Sequence, residues 1–528
     1  MKLTDIFSAS FDKAEWEAKG YQLPKFDIQA VAKKTHDEPT WVHFGGGNIF
    51  RAFPAAILND ALNTGQYDRG VIVAETFDYE VIDKAYAPYQ NLSLAVSLCS
   101  NGTIEKKVIA SVTESLKADP QFPDWQRLVE VFKAPSLQMI SFTITEKGYT
   151  YNEADLARGL QPVFAMGKVC ALLLERFNAG QLPLTVQSMD NCSHNGDKVK
   201  AGVMAYAERW VQDGLVPAAF LAYLKDEQKI TFPWSMIDKI TPRPHSQVKE
   251  MLAQDGFEDN DYIETEKHTF TAPFVNAEEV QYLVIEDNYT NQRPPLDLGG
   301  ALYTTREIVD QVETMKVTTC LNPLHTAMSI YGVMLGYTLI SAEMADPDLR
   351  PFIQKIGYME AMPVVTDPGV LNPYEFIGDV INKRLPNPFM PDAPQRISTD
   401  TSQKLPIRFG ETIKKYVARG LDMKNLVLIP LTLAGYARFL KALDDNLEPF
   451  SPSSDPKLDE LMAIVSPLEI GKAEQDWSPL KQLFSRADIF GIDLYEAGLG
   501  EQIEGMVKEL YAGKGAVRAT LHKYVQAR

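Results

Sequence analysis

The stretch from Trp41 to Glu75 runs WVHFGGGNIFRAFPAAILNDALNTGQYDRGVIVAE and changes texture three times. WVHF is a short β-prone run that ends in three glycines. Beyond them Phe53, Ala56, Ile57, Ala61 and Leu62 recur at helical spacing. GVIVAE is then a continuous apolar run of strand length, the kind buried on both faces of a parallel sheet. Strand, glycine turn, helix, strand is a βαβ unit. Pro54 lies inside the helical stretch and predicts a kink or a late helix start there.

Working outward, LSLAVSLC (92–99), KVIASVT (107–113), LQMISFTIT (137–145) and LPLTVQSM (182–189) read as further strands. FPDWQRLVEVFKA (122–134) and GKVCALLLERFNAG (167–180) carry helical periodicity between them. The alternation predicts an open α/β sheet as far as about residue 290. Past residue 300 long amphipathic helical patterns take over. The expected organisation is a Rossmann-like α/β domain over 1–300, its first forty residues an extension, and a mainly α-helical domain over 301–528.

The 528 residues carry a formal charge of −18. So acidic a surface repels phosphate backbones and anionic lipid, which argues against nucleic acid and membrane as partners. The four cysteines form no CxxC pair, and the histidines show no metal-ligand spacing, so no metal is expected. LVLIPLTLAGY (426–436) is too short to span a bilayer and reads as a buried helix. The N-terminus mixes acids and bases without the apolar core of a signal peptide, and the expected compartment is the cytoplasm.

The glycine turn carries the first chemistry. A dinucleotide pyrophosphate needs backbone N–H groups close by and a helix N-terminus aimed at it. Gly45 and Gly47 permit that approach, and Asn48, Ile49, Phe50 and Arg51 follow where the helix begins. GxGxxG is not completed, since position 50 is phenylalanine. Glu75 ends the second strand, where a carboxylate accepts from ribose hydroxyls and repels a 2′-phosphate, so NAD is the expected cofactor.

VHFGGGNIFRAF (42–53) resembles the opening fingerprint of the polyol-specific long-chain dehydrogenases, the mannitol dehydrogenase family, and four later segments match in order. SMDNCSHNG (188–196) is similar to the family's DNxxxNG segment, which implies that Asn191 binds the reacting oxygen. FPWSMIDKITP (232–242) resembles FPxSMVDRITP and carries a substrate-side carboxylate onto Asp238. KVTTCLNPLH (316–325) is similar to the catalytic K…NxxH segment and implies catalytic roles for Lys316, Asn322 and His325. RISTDTSQKLP (396–406) resembles the substrate-binding RxxxDxSxKxP stretch, with Arg396 and Lys404 in its two basic positions. One departure stands out. Five residues separate Lys316 from Asn322 where family members usually have four. In a regular helix the extra residue turns Lys316 by about 100°, whereas a π-bulge would absorb it.

The resemblance implies hydride exchange between NAD and an open-chain sugar acid or polyol, with no metal. Asn191 and Asn322 would hold the developing alkoxide, and Lys316 would serve as general acid and base if burial tunes it. Interconversion of D-fructuronate and D-mannonate is the first expectation. Mannitol and fructose, tagaturonate, a phosphosugar, or a non-catalytic NAD- or sugar-binding role remain open. A uronate carboxylate calls for a cation beyond the lysine acid. Arg396 and Lys404 are two, and Arg243, His245 and Arg408 lie just beyond the matched segments. A guanidinium grips a carboxylate through two parallel hydrogen bonds. Arg243 therefore joins the expected substrate-binding residues, and Arg408 competes with it.

Overall fold

In the computed structural model, which describes residues 1–528, Trp41–Phe44 (β1) and Val71–Glu75 (β2) pair in parallel, with Val42 against Ile72 and Phe44 against Ala74. Val112–Lys117 (β3), Met139–Phe142 (β4), Leu184–Ser188 (β5) and Ile230–Thr231 (β6) complete the sheet. Every pairing is parallel, in the order β3-β2-β1-β4-β5-β6. This is the dinucleotide-binding order. The direction of winding reverses beside β1, and ligands bind at such a reversal, off the carboxyl ends of the strands.

Successive side chains of a strand point to opposite faces, so a strand buried on both faces is mainly apolar, and a polar residue within it needs a buried partner, as His43 finds in Ser141. Trp41, Val71, Val73 and Met139 face a core closed by Phe50 of helix Asn48–Ala52 (α1) and by Ile57 and Leu58 of helix Pro54–Asn63 (α2). Val42, Phe44, Ile72, Ala74 and Ile140 face the other way. There they meet helices Asp124–Lys133 (α3), Ala165–Asn178 (α4) and Asn195–Gln212 (α5). The break expected at Pro54 is present. Phe53 leaves helical geometry at φ −129°, ψ −80°, and Pro54 opens α2, where its missing N–H costs no hydrogen bond.

One expectation needs correction. LSLAVSLC and the first half of KVIASVT do not enter the parallel sheet. Ser93–Leu98 and Ile104–Ile109 form an antiparallel hairpin in a separate sheet with Tyr21–Gln22 and Phe274–Glu278. The cause is local: Asn101-Gly102 lies between the strands, with Gly102 at φ +83°, and Asn-Gly is a strong hairpin signal. A three-stranded sheet contains Ser235–Asp238 (β7), Tyr282–Glu286 and Leu302–Thr304.

The chain divides into two compact units, Met1–Asp310 and Gln311–Arg528. The N-terminal extension belongs to the first, tied down where the Met1 amine donates to Gly256 O at 2.9 Å and Leu3 N donates to Asp259. The second unit is helical. It includes Asn322–Met334 (α6), Pro394–Ile397 (α7), Thr401–Leu405 (α8) and Leu428–Phe439 (α9). Helix α9 is buried at every position. Its orphan N–H groups are satisfied by Glu360, which accepts from Val427 and Leu428 on one oxygen and Ile429 on the other, at 2.8–2.9 Å. No helix is long and apolar enough to cross a membrane.

Candidate active site

In the first unit the glycine turn stands at the carboxyl end of β1. Gly45 has φ +104°, and a Cβ on it would lie 2.2 Å from Thr143 O, so only glycine fits between the ends of β1 and β4. Gly46 is tied on both sides: its N–H donates to Glu75 Oε2 at 2.8 Å, and its carbonyl accepts from Tyr86 OH at 2.8 Å. Gly47 differs. Its backbone is ordinary, φ −73°, and a Cβ there would meet nothing within 4 Å. The turn therefore presents bare backbone at Gly47 to a cavity of about 790 Å³. Gly45, Glu75, Asp78, Thr143 and Lys168 also border that cavity.

Glu75 is engaged by the backbone. Oε1 accepts from Thr76, Phe77 and Asp78 N–H at 2.9, 3.0 and 3.4 Å, and Oε2 from Gly46. Burial raises its pKa against the pull of these donors. The carboxylate thus holds the glycine turn to the loop after β2, and a ribose hydroxyl would have to share it. The side chains after the turn also depart from expectation. Arg51 is buried and donates to Ala272 O, Asn48 Oδ1 and Thr271 Oγ1, while Asn48 Oδ1 also accepts from Thr271 at 2.6 Å. Phe50 is a core residue stacked on His43 at 4.1 Å, and Ile49 packs against the same core. What residues 48–50 offer a ligand is main-chain N–H, since the Arg51 N–H already donates to Gly47 O.

Around the loop after β2 stand groups that sequence reasoning missed. Lys168 Nζ meets Asp119 at 2.8 Å, Tyr79 OH at 2.6 Å and Thr76 O at 3.2 Å, and burial lowers its pKa. A lysine on the buried face of α4, among Met166, Val169, Leu172 and Leu173, was the available signal. Phe77 is 66% exposed at the cavity edge, with Lys267 Nζ 4.1 Å from its ring centre.

Asn191 lies in the loop after β5, which its neighbours pin. Asp190 accepts from Ile144 N, Thr145 N and Tyr149 OH, and Asn195 ties Asp190 O to Ser235. Asp238 is buried at the end of β7, opposite Tyr282. Arg243 follows on an exposed loop, and His245 caps the next helix through Gln247 N.

In the second unit Lys316–Cys320 is one π-helical turn, closed by Leu321 N donating to Lys316 O at 3.1 Å. An i→i+5 bond spans one residue more than the usual i→i+4 bond, so this turn takes up the extra residue before Asn322. Lys316 is buried, 6% exposed. Asn322 opens α6, and its Oδ1 is buried with no hydrogen-bond partner. His325, one turn on, places Nε2 3.2 Å from Asp392 Oδ2 but out of line, so that nitrogen also lacks a well-formed hydrogen bond. Burial holds the His325 pKa below the usual value despite Asp392, so the ring is neutral near pH 7.

Asp392 also accepts from Arg396 Nε at 2.9 Å. Lys404 reaches back to Ile397 O at 2.9 Å and to Thr399 O, and burial, with Arg408 beside it, pulls its pKa down to about 8. A second π-turn, Pro406–Gly410, packs against the first and carries Arg408, whose Nη1 donates to Thr326 Oγ1. The structure thus gathers Asn322, His325, Arg396, Lys404 and Arg408, adding Asp392 and Thr326, which no sequence pattern singled out.

Comparison with known proteins bears on both units. Residues 39–298 match the mannitol dehydrogenase Rossmann domain, and residues 308–511 the mannitol dehydrogenase C-terminal domain. The chain is 50% identical to the D-mannonate oxidoreductase of Thermotoga maritima, over 97% of each chain. It is similar in fold to a substrate-free D-sorbitol dehydrogenase, with a TM-score of 0.77 and 23% identity over 95% of this chain and 97% of that one. Mannitol 2-dehydrogenase of Pseudomonas fluorescens, solved with NAD and D-mannitol, gives a TM-score of 0.67 at 23% identity over the whole of both chains.

Proposed function

Because this chain belongs to the mannitol dehydrogenase family through both of its units, we propose that it is an NAD-dependent oxidoreductase interconverting D-fructuronate and D-mannonate. The observation that carries the site assignment is one short segment. It holds a buried lysine, Lys316, the buried Asn322 Oδ1, which has no hydrogen-bond partner, and His325 Nε2, whose contact with Asp392 is poorly aligned. Buried polar atoms are almost always paired, so an unpaired amide oxygen and a poorly aligned imidazole nitrogen in the same segment as a buried lysine point to a ligand that supplies the missing bonds.

The first unit suits the cofactor. Bare backbone at Gly47 opens on a cavity of about 790 Å³, a size ordinary for small-molecule sites. When bound there, NAD supplies or accepts the hydride. The N–H groups after Gly47 hold negative charge, and the acidic loop Glu75–Asp78 disfavours a 2′-phosphate. In the reductive direction Lys316 Nζ gives a proton to the oxygen of the reacting carbon, and in oxidation it takes one. The Asn322 carboxamide holds that oxygen as it gains charge. His325, kept neutral by burial, orients the substrate by a hydrogen bond without adding charge. Asn191 and Asp238 take their oxygen-binding and substrate-binding roles from the likeness of their segments to the family's.

The test is NADH oxidation with fructuronate, tagaturonate and fructose offered separately, each repeated with Lys316→Ala. Fructuronate should be preferred, and the variant should lose roughly 10²–10⁴-fold in kcat while still binding NADH. Preference for fructose would make the chain a polyol dehydrogenase instead. Full activity in the variant would remove Lys316 from the chemistry.

A further inference from the structure

Arg408 has no carboxylate within ion-pair distance. Its hydrogen bonds run from Nη1 alone, to Thr326 Oγ1 and, at 3.5 Å, to Asn322 O. The opposite edge of the guanidinium, Nε and Nη2, makes no bond within the protein. Arg396 differs in kind, since Asp392 takes both its Nε and its Nη2. Lys404 is spent on two main-chain carbonyls. Arg396 thus has Asp392, and Lys404 has Asp400 and Asp455 acting on it as well as its two carbonyls, whereas Arg408 alone has no carboxylate acting on it. Holding a cation partly out of water without an opposite charge is costly and needs a compensating partner. The groups next to Arg408 are those with unmet bonds: Asn322, whose carbonyl it touches, and His325, one turn along the same helix.

We propose that the Nε–Nη2 edge of Arg408 receives the carboxylate of a sugar acid and so selects uronates over neutral ketoses. The proposal rests on reading the Lys316–Asn322–His325 segment as the reacting centre. A planar carboxylate matches the open edge of a guanidinium with two parallel hydrogen bonds, and its negative charge supplies the counter-charge that Arg408 lacks within the protein. Thr326 fixes the other edge of the group, which pre-orients it and lowers the entropy lost on binding. Arg243, the other arginine considered for this task, sits on an exposed loop of the first unit, and such a site shows no comparable preparation. The π-turn gives Arg408 its place, since Pro406–Gly410 packs on Lys316–Cys320 and brings carboxylate clamp and proton donor together.

The experiment compares kcat and KM for D-fructuronate and D-fructose in the wild type, Arg408→Leu and Arg408→Lys, with NADH affinity and thermal stability as folding controls. Removing one member of a buried charged pair costs roughly 30-fold or more in affinity. Arg408→Leu should therefore raise KM for fructuronate by at least that factor with a much smaller change in kcat. Its kcat/KM for fructose, which has no carboxylate to lose, should fall by a factor at least roughly tenfold smaller than that for fructuronate, so the selectivity ratio drops. Arg408→Lys keeps the charge but loses the fork, and should fall between. An unchanged KM for fructuronate in both variants, or equal losses on both substrates, overturns the assignment of Arg408 while leaving the fructuronate reading intact. A wild type that prefers fructose overturns both. If Arg408→Leu is too unstable to assay, Arg408→Lys alone decides by the same ratio.

Discussion

Gly45 and Gly47 are two residues apart, yet the structure gives them opposite reasons for being glycine, and replacing each by alanine separates those reasons. At Gly45 the backbone sits at φ +104° and a methyl would lie 2.2 Å from Thr143 O and 2.9 Å from its carbonyl carbon. Those atoms are main chain at the end of β4 and cannot swing aside. Left-handed strain costs on the order of 1–3 kcal/mol and overpacking a similar amount. Gly45→Ala should thus lower Tm by roughly 5–15 °C. At Gly47 the backbone is unstrained and a methyl meets nothing of the protein. The reduced unfolded-state entropy favours alanine by about 0.4–1 kcal/mol, and the loss of a glycine N-cap offsets about as much. Gly47→Ala should therefore melt within about 2 °C of the wild type without cofactor. The methyl would, however, fill the space through which a pyrophosphate approaches the backbone, so the Kd for NADH should rise about tenfold or more, and the cofactor-induced rise in Tm should shrink in proportion. Thermal melts with and without NADH, and fluorescence titration of NADH, read both effects. Undiminished NADH binding by Gly47→Ala would refute the placement of the cofactor against this turn.

Three further outcomes follow from the second unit. Lys404, held near pKa 8 by burial and by Arg408, loses its charge as the pH rises, so kcat/KM for an anionic substrate should fall above pH 8. That limb should vanish in Lys404→Arg, and a limb unchanged there would assign it to another group. Replacing Glu360 by leucine strands the three N–H groups it accepts from at the start of α9. This should cost roughly 3 kcal/mol or more, seen as a Tm loss of about 6 °C or greater. Deleting Val317 from the first π-turn should leave a regular helix with Lys316 in unchanged phase to Asn322, and kcat/KM should stay within about tenfold. A loss as large as that of Lys316→Ala would show that the wide turn does more than take up a residue.

How far the sequence could be read depended on whether a constraint was local. GVIVAE announced a strand covered on both faces because four consecutive apolar side chains, Val71–Ala74, leave no wet side, and the structure buries all four together with Glu75. Pro54 announced the break between α1 and α2 because its ring acts on the residues beside it. The hairpin at Asn101-Gly102 was equally local, but strand-length apolar runs on both sides outweighed the dipeptide that set their pairing. Glu75 shows the opposite limit. Its position at the end of β2 was legible, but its bonds to Gly46, Thr76, Phe77 and Asp78 depend on how two loops fold over it.

The same division explains the cluster around His325. Lys316, Asn322 and His325 lie within ten residues, so their spacing could pose the question of an extra residue, and the π-turn is its answer in the backbone. Asp392 lies sixty-seven residues beyond His325, and an aspartate in a proline-rich loop carries no mark of the ring it will face. Arg408 is the intermediate case. Its proximity to Lys404 in sequence made it a candidate cation, but a cation alone says nothing of its counter-charge. Only the packed structure shows that Asp392 is taken by Arg396, that Lys404 is spent on carbonyls, and that Arg408 keeps one edge open. A missing counter-charge is a property of the assembled site, and it separates a uronate reading from a polyol reading where the matched motifs alone do not.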